Sequence, residues 1–334
     1  MAVQSPAEPA PAPAPSAPPA NAPPVAKPTA RLLLPLHREN RTLYCDLQGR
    51  RAWEGDFPQG LAFVEGLAAV RQGDAWGFID AQGQWAVPAQ FDDALSHSEG
   101  LAVVSRDGAS TLIDHQGNQQ FAWHKGWLRP PREGLAVAGE GGRWGWLDLR
   151  GQWQIAPSFW DAWSFSQGMA RVQVGDEMSF IDRAGQRLSG QWSDAWDFAD
   201  GLAPVRTGLR WGFIDRTGRL ALPALWRDAR PFCEGLAAVQ SEAGWGYVDT
   251  TGRVAIAPQF EQADDFSEGV AQVRRNGMIA FVDRVGRAAL RLDVERAGSM
   301  RAGVIEVWQG EDNGWLDRLG RWIIAPGHAP LAPL

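Results

Sequence analysis

An aspartate recurs every 34 residues along this chain. Asp46, Asp80, Asp114, Asp148, Asp182, Asp215, Asp249, Asp283 and Asp317 keep that spacing, with one step of 33 between Asp182 and Asp215. A second series, Gly66, Gly100, Gly134, Gly168, Gly201, Gly235, Gly269 and Gly303, loses one residue at the same place. Two independent series that share one deletion are tandem copies of a single unit, and a period in this range belongs to stacked repeat architectures. Nine units of about 34 residues fill positions 31–326.

Each unit reads as three extended pieces. Two positions before the Asp the residue is aromatic in eight of nine units (Tyr44, Phe78, Trp146, Phe180, Phe213, Tyr247, Phe281 and Trp315), and the next position is aliphatic in most. Adjacent positions face opposite sides of a strand, so this strand is expected to be covered on both sides. Asp-x-x-Gly then closes a hairpin, the carboxylate accepting bonds from the turn's own amides while Gly supplies a positive φ. A third piece follows and ends in Pro, as in Val87-Pro88 and Ile256-Ala257-Pro258. The piece after each unit Gly reads Leu-Ala-x-Val; its third position drifts from Ala69 to Arg171, Pro204 and Gln272, which predicts a face that becomes wet partway along. Between units, Asp93, Asp161, Asp194 and Asp228 stand before Ala, which predicts a single capped helical turn. The fold class is therefore all-β: a tandem array of nine three-stranded antiparallel meanders, none able to bury its apolar residues alone.

Trp-Gly precedes the aromatic-aliphatic-Asp triplet in several units: Trp76-Gly77-Phe78-Ile79-Asp80, Trp144-Gly145-Trp146-Leu147-Asp148, Trp211-Gly212-Phe213-Ile214-Asp215 and Trp245-Gly246-Tyr247-Val248-Asp249. On these residues, and on the Glu-Gly-Leu-Ala or Asp-Gly-Leu-Ala before them, the chain resembles the WG-containing repeat family over about nine tenths of its length. It departs at Ser110-Thr111, Met178-Ser179, Ile279-Ala280 and Asn313-Gly314, and in the first unit, which has Arg31-Leu32 where the others have Gly-Leu. The resemblance implies a bacterial β-repeat array that binds other molecules, and it carries over no catalytic residue. Such meanders stack into an open superhelix or close into a β-propeller. The first unit begins with its own first strand at Leu32–Leu34 and the last ends with its own third at Trp322–Ala325, so no blade draws strands from both chain ends. An open, curved superhelical stack is expected, with a closed propeller as the alternative.

Residues 1–30 are Ala/Pro-rich and read as a disordered tether, and residues 327–334 as a C-terminal tail. No signal h-region or membrane span precedes the array, which makes the cytoplasm the default compartment and leaves the periplasm or envelope open if the precursor starts further upstream. A net charge of −7 lacks the excess of cations that nucleic acid requires.

The recurrent Asp residues belong to turns rather than to acid–base work, which needs two carboxylates in distinct environments. His37, His97, His115, His124 and His328 show no ligand spacing, and neither a nucleophile motif nor a phosphate loop is present, so no enzyme, metal or cofactor is expected. Of the 18 Trp, five fall outside the repeating framework: Trp123, Trp127, Trp160, Trp163 and Trp196. They occupy three consecutive unit junctions, and stacking would align them into a stripe beside Lys125, Arg129 and Arg132. Indole faces next to cations suit a protein or peptide partner. The expected function is a non-enzymatic binding or scaffold module acting through this stripe, with carbohydrate or cell-envelope polymer binding as the alternative.

Overall fold

The computed structural model describes residues 32–331; the tether expected over residues 1–30 lies outside them. Every regular element among the described residues is a β-strand, and none of them is helical.

The second unit shows how the sequence builds a sheet. Strands Leu67–Gln72, Ala75–Asp80 and Trp85–Phe91 pair antiparallel in order. The Asp80 carboxylate accepts the amides of Gln82 and Gln84, both at 2.9 Å, and Gly83 adopts φ 76°. The other eight Asp turns repeat this bonding to the residue four positions on. Gly77 is required by close approach: a Cβ there would lie 2.6 Å from both the Val87 carbonyl oxygen and the Ala89 amide nitrogen. The register shifts beside it, between Trp76 and Phe78, as the Pro88 segment crosses over the glycine. The WG dipeptide thus marks where one strand passes close over another.

The helical turn expected between units is not formed. Asp93–Ala94, Asp161–Ala162, Asp194–Ala195 and Asp228–Ala229 are two-residue strands on the edge of the following unit's sheet. Their Asp carboxylates accept from the very next amide, as Asp161 does from Ala162 at 2.8 Å. Pairing with the neighbouring strand consumes the amides a capped helix would need; Trp163, for example, donates to the Arg171 carbonyl at 3.0 Å. Five sheets consequently have four strands and three have three, while the first has two.

The core lies between successive sheets. Leu67, Ala69, Phe78 and Val87 of one unit pack against Ala94, Ala102, Val104 and Ile113 of the next. Each such burial is worth about 1.5–3 kcal/mol and is available only to stacked units. The expected wet face of the Leu-Ala-x-Val strand is corrected for most units: Ala69, Val103, Val137 and Pro204 are buried and Arg171 is 8% exposed under neighbouring side chains, while Gln272 is half-buried. A second inter-unit device repeats along the array. Glu65 accepts the Gly100 amide, Glu99 the Gly134 amide, Glu133 the Gly168 amide, Glu234 the Gly269 amide and Glu268 the Gly303 amide, at 2.8–3.0 Å. Gln167 and Asp200 make the same link.

The array is not open. Leu34, Leu36 and Cys45 of the first unit share a core with Val304, Trp315 and Ile324 of the last. Asn313 Nδ2 and Trp315 Nε1 both donate to the Pro35 carbonyl, at 3.0 and 2.9 Å. Leu331 pairs in parallel beside Arg50, donating to Gly49 and accepting from Arg51. The expected superhelical stack is therefore replaced by the alternative, a propeller arrangement of eight three- or four-stranded blades and a smaller first sheet. The sequence hides this closure because it runs through face packing and through Leu331, which lies past the last repeat in the stretch that reads as a tail. It also explains the departure at Asn313: this fully buried side chain stands at the Trp position and accepts from the His37 amide at 2.8 Å while donating to Pro35.

Candidate functional site

Hairpins between the first and second strands of each unit, together with the inter-unit segments beside them, form one rim of the array. The Gly139 amide donates to the Trp127 carbonyl and the Trp160 amide to the Gln173 carbonyl, which ties each inter-unit segment to the end of the adjacent strand. Three of the five expected tryptophans face solvent on this rim: Trp127 is 77% exposed, Trp160 58% and Trp196 46%. Such exposure is unusual for a side chain whose burial would be worth several kcal/mol.

Guanidinium groups hold two of these three rings, Trp160 and Trp196. The Arg143 guanidinium lies over the Trp160 ring at 3.7 Å from the centroid. Arg129 lies between Trp144 at 4.9 Å and Trp163 at 5.9 Å, and Arg171 between Trp163 at 4.1 Å and Trp196 at 5.5 Å. The result is a ladder, Trp144–Arg129–Trp163–Arg171–Trp196, that crosses three units. Its cations are neutralised locally: Asp161 accepts from Arg129 and Asp197 from Arg171, each at 3.1 Å. Arg171 also donates to the Ala195 carbonyl. Burial pushes its pKa below the ordinary guanidinium value, and Asp197 opposes that shift. A desolvated cation–π pair is worth about 2 kcal/mol and an exposed one about 0.5–1 kcal/mol, so the enclosed Arg171 on half-buried Trp163 contributes most and Arg143 on exposed Trp160 least.

The remaining expected residues divide. Trp163 is half-buried, in the ladder and against the Phe180–Phe198 core. Lys125 lies with Trp127, Arg143 and Trp144 around a 240 Å³ pocket. Trp123 turns away, packing against the Phe78–Val104 core with Arg106 over its ring at 5.5 Å. Arg132 stands at the opposite end of strand Leu135–Glu140, bridged to Leu135, about 13 Å along the strand from Gly139. Sequence reasoning missed Arg143, Arg171 and Trp144. Arg171 had left a signal, as a cation at an otherwise apolar strand position.

Two features lie off the row. A cavity of about 730 Å³ opens beside the seam between the first and last units and reaches the second, lined by Arg38, Arg41, Leu61, Trp76 and Glu311 among others. Arg38 there donates to the carbonyls of His37 and Asn313, and so serves closure. His97 occupies the slot that Phe165 and Phe198 fill in other units. It is 3% exposed and stacks on His115 at 4.4 Å, and both its ring nitrogens lack a hydrogen bond among the described residues. Burial, reinforced by His115, lowers its pKa to about 4. Among the described residues no group of three or more His, Cys, Asp and Glu side chains converges as a metal site, and no helix is long and apolar enough to cross a membrane.

A family model described as WG containing repeat matches residues 76–108, 144–177, 211–242 and 245–278. No curated protein matches the chain. Among solved structures, a crystal structure of the eukaryotic initiation factor aligns over 89% of this chain and 95% of its own, with TM-score 0.60 and 10% identity. BamB from Moraxella catarrhalis aligns over 85% of this chain and 95% of its own, with TM-score 0.43 and 10% identity. Hsv2p from Kluyveromyces lactis aligns over 67% of this chain and 92% of its own, with TM-score 0.44 and 11% identity. At such identities the likeness to the initiation factor concerns the fold alone.

Proposed function

The chain belongs to the WG-containing repeat family, and on that premise we propose that it is a non-enzymatic binding module whose partner is a protein, docked on the Trp row of units four to six. The observation that carries this reading is the pairing of exposure with immobilisation. Trp127, Trp160 and Trp196 face solvent, while Arg143 and Arg171 hold Trp160 and Trp196 from one side. A rigid indole loses little conformational entropy on binding, which is why aromatic residues dominate interface energetics. A protein is favoured over the carbohydrate alternative because both Arg129 and Arg171 lie against Trp163 and Arg143 covers Trp160, taking ring faces that a sugar would need for stacking.

The test is capture with the full chain as bait, compared with the Trp127→Ala/Trp160→Ala variant. The expected result is loss of specific partners from the variant with an unfolding free energy changed by about 0.5 kcal/mol or less per exposed site. Equal capture by both proteins, or selective retention of the wild type on envelope polysaccharide instead of protein, would overturn the reading.

A further inference from the structure

The position five residues before the unit glycine is Arg in two units, Arg129 and Arg230, and the two behave differently. Arg129 lies over Trp144, the WG tryptophan of its own unit, because the next unit offers Trp163 on the other side. One unit after Arg230 the corresponding pair is Asp264-Asp265 in place of Trp163-Ser164. Arg230 is drawn to it, donating to Asp264 at 2.7 Å, to the Ala263 carbonyl at 3.2 Å and pairing with Asp265 at 3.2 Å. Trp245, the counterpart of Trp144, is left with no guanidinium over its ring among the described residues.

A pocket of about 350 Å³ opens at that place, lined by Trp196, Trp245, Pro231, Asp228, Asp265 and Arg230. Its walls are two indoles and a proline ring. Its charge is two carboxylates against one guanidinium, and that guanidinium is shared with Asp264 outside the lining. Burial raises the Asp265 pKa and Arg230 only partly opposes it, so a second cation would be welcome there. Shape and charge together match a cation lying flat on an aromatic face.

We propose that this pocket receives an arginine side chain of the protein partner, its guanidinium lying on Trp245 as Arg129 lies on Trp144 and facing Asp228 and Asp265. The proposal rests on the reading of the Trp row as a protein-binding surface and names the chemistry of one contact at its end. The incoming arginine would extend the ladder past Trp196 into the next unit.

The experiment titrates the full chain with a blocked Gly-Arg-Gly peptide and its citrulline analogue, which keeps the shape and removes the charge. Indole N–H resonances are followed, with Trp196→Phe and Trp245→Phe providing the assignments. The expected result is a saturable shift at both indoles with the arginine peptide and none with citrulline, weakened roughly fivefold or more by Asp265→Asn and by added salt. Arg230→Gln removes the resident competitor and is expected to tighten binding; an unchanged melting temperature shows that each variant is folded. Equal shifts with citrulline, no saturable shift, or indifference to Asp265→Asn would overturn the proposal. If the peptide fails while Trp127→Ala/Trp160→Ala still abolishes partner capture, only the pocket assignment falls. If the peptide binds and capture is indifferent to those tryptophans, the wider reading falls instead.

Discussion

Interior junctions and the seam between the first and last units bury the same kinds of aliphatic and aromatic side chains but secure them differently. Inside the array each junction reuses standard parts, such as Phe213 against Phe232 at 4.9 Å and the Glu133 carboxylate on the Gly168 amide. At the seam both standard polar parts are missing. Ala302 stands where the other units have a Glu, Asp or Gln acceptor at the turn, and the strand register puts Leu32, rather than the Arg31 read from the sequence, where they have the turn glycine. Their place is taken by Asn313, Trp315 and Arg38 bonding to backbone groups of the opposite end. Repetition holds an interior junction through many equivalent small contributions, whereas closure depends on a few specific hydrogen bonds that occur once.

That contrast predicts a graded series. Phe213→Ala empties a fully buried interior site and should cost about 3–5 kcal/mol, measured by urea unfolding; a loss below about 1 kcal/mol would show that interior sheets repack freely. Asn313→Ala should cost about 1–3 kcal/mol, because the His37 amide loses its acceptor and the Pro35 carbonyl one of its two donors. Small-angle scattering on that variant should show a larger radius of gyration, and an unchanged radius would mean that the shared apolar core closes the ring unaided. Glu133 adopts φ 53°, so Glu133→Ala keeps the left-handed strain and loses the carboxylate, for about 1 kcal/mol. Glu133→Gly relieves the strain and should cost measurably less; the reverse order would show that the backbone there is unstrained.

The smallest effect at neutral pH belongs to His97→Phe, which restores the residue type of the other units. Its consequence appears in acid. The folded pKa of His97, about 4, lies below the ordinary value of 6.5. Between those values the unfolded chain binds a proton that the folded one refuses, so the stability contributed is complete above pH 6.5 and is lost as pH falls towards 4. The variant should be less acid-sensitive over that window. Sensitivity should not vanish, because burial lowers His37 at the seam in the same sense. Identical pH profiles for the two proteins would mean that His97 is solvated in solution.

Much of the local structure was legible. The Asp-x-x-Gly turns, the covered second strand and the unit boundaries follow from contacts within a few residues, which the sequence displays directly. The capped helical turn was misread because Asp before Ala satisfies a local rule, while the outcome depended on amides claimed by the following strand, beyond the reach of a helical turn, as Trp163 is by Arg171. The tryptophans outside the framework were legible as a group, but not their fates. Trp123 and Trp127 are four residues apart; one packs inward under Arg106 and the other is 77% exposed. Arg143 and Arg171 enter the row from a hairpin and a strand interior, places where a lone cation carries no local pattern.

What the sequence determined by itself is the repeating module and its internal hydrogen bonding, because those interactions join neighbours whose separation the period dictates. Tertiary structure alone decided whether the array closes, which indole carries which guanidinium and that Trp245 carries none among the described residues. Those outcomes depend on a small rotation between successive sheets accumulated over nine units, and on competition such as that of Asp264 with Trp245 for Arg230, neither of which any single stretch of chain encodes.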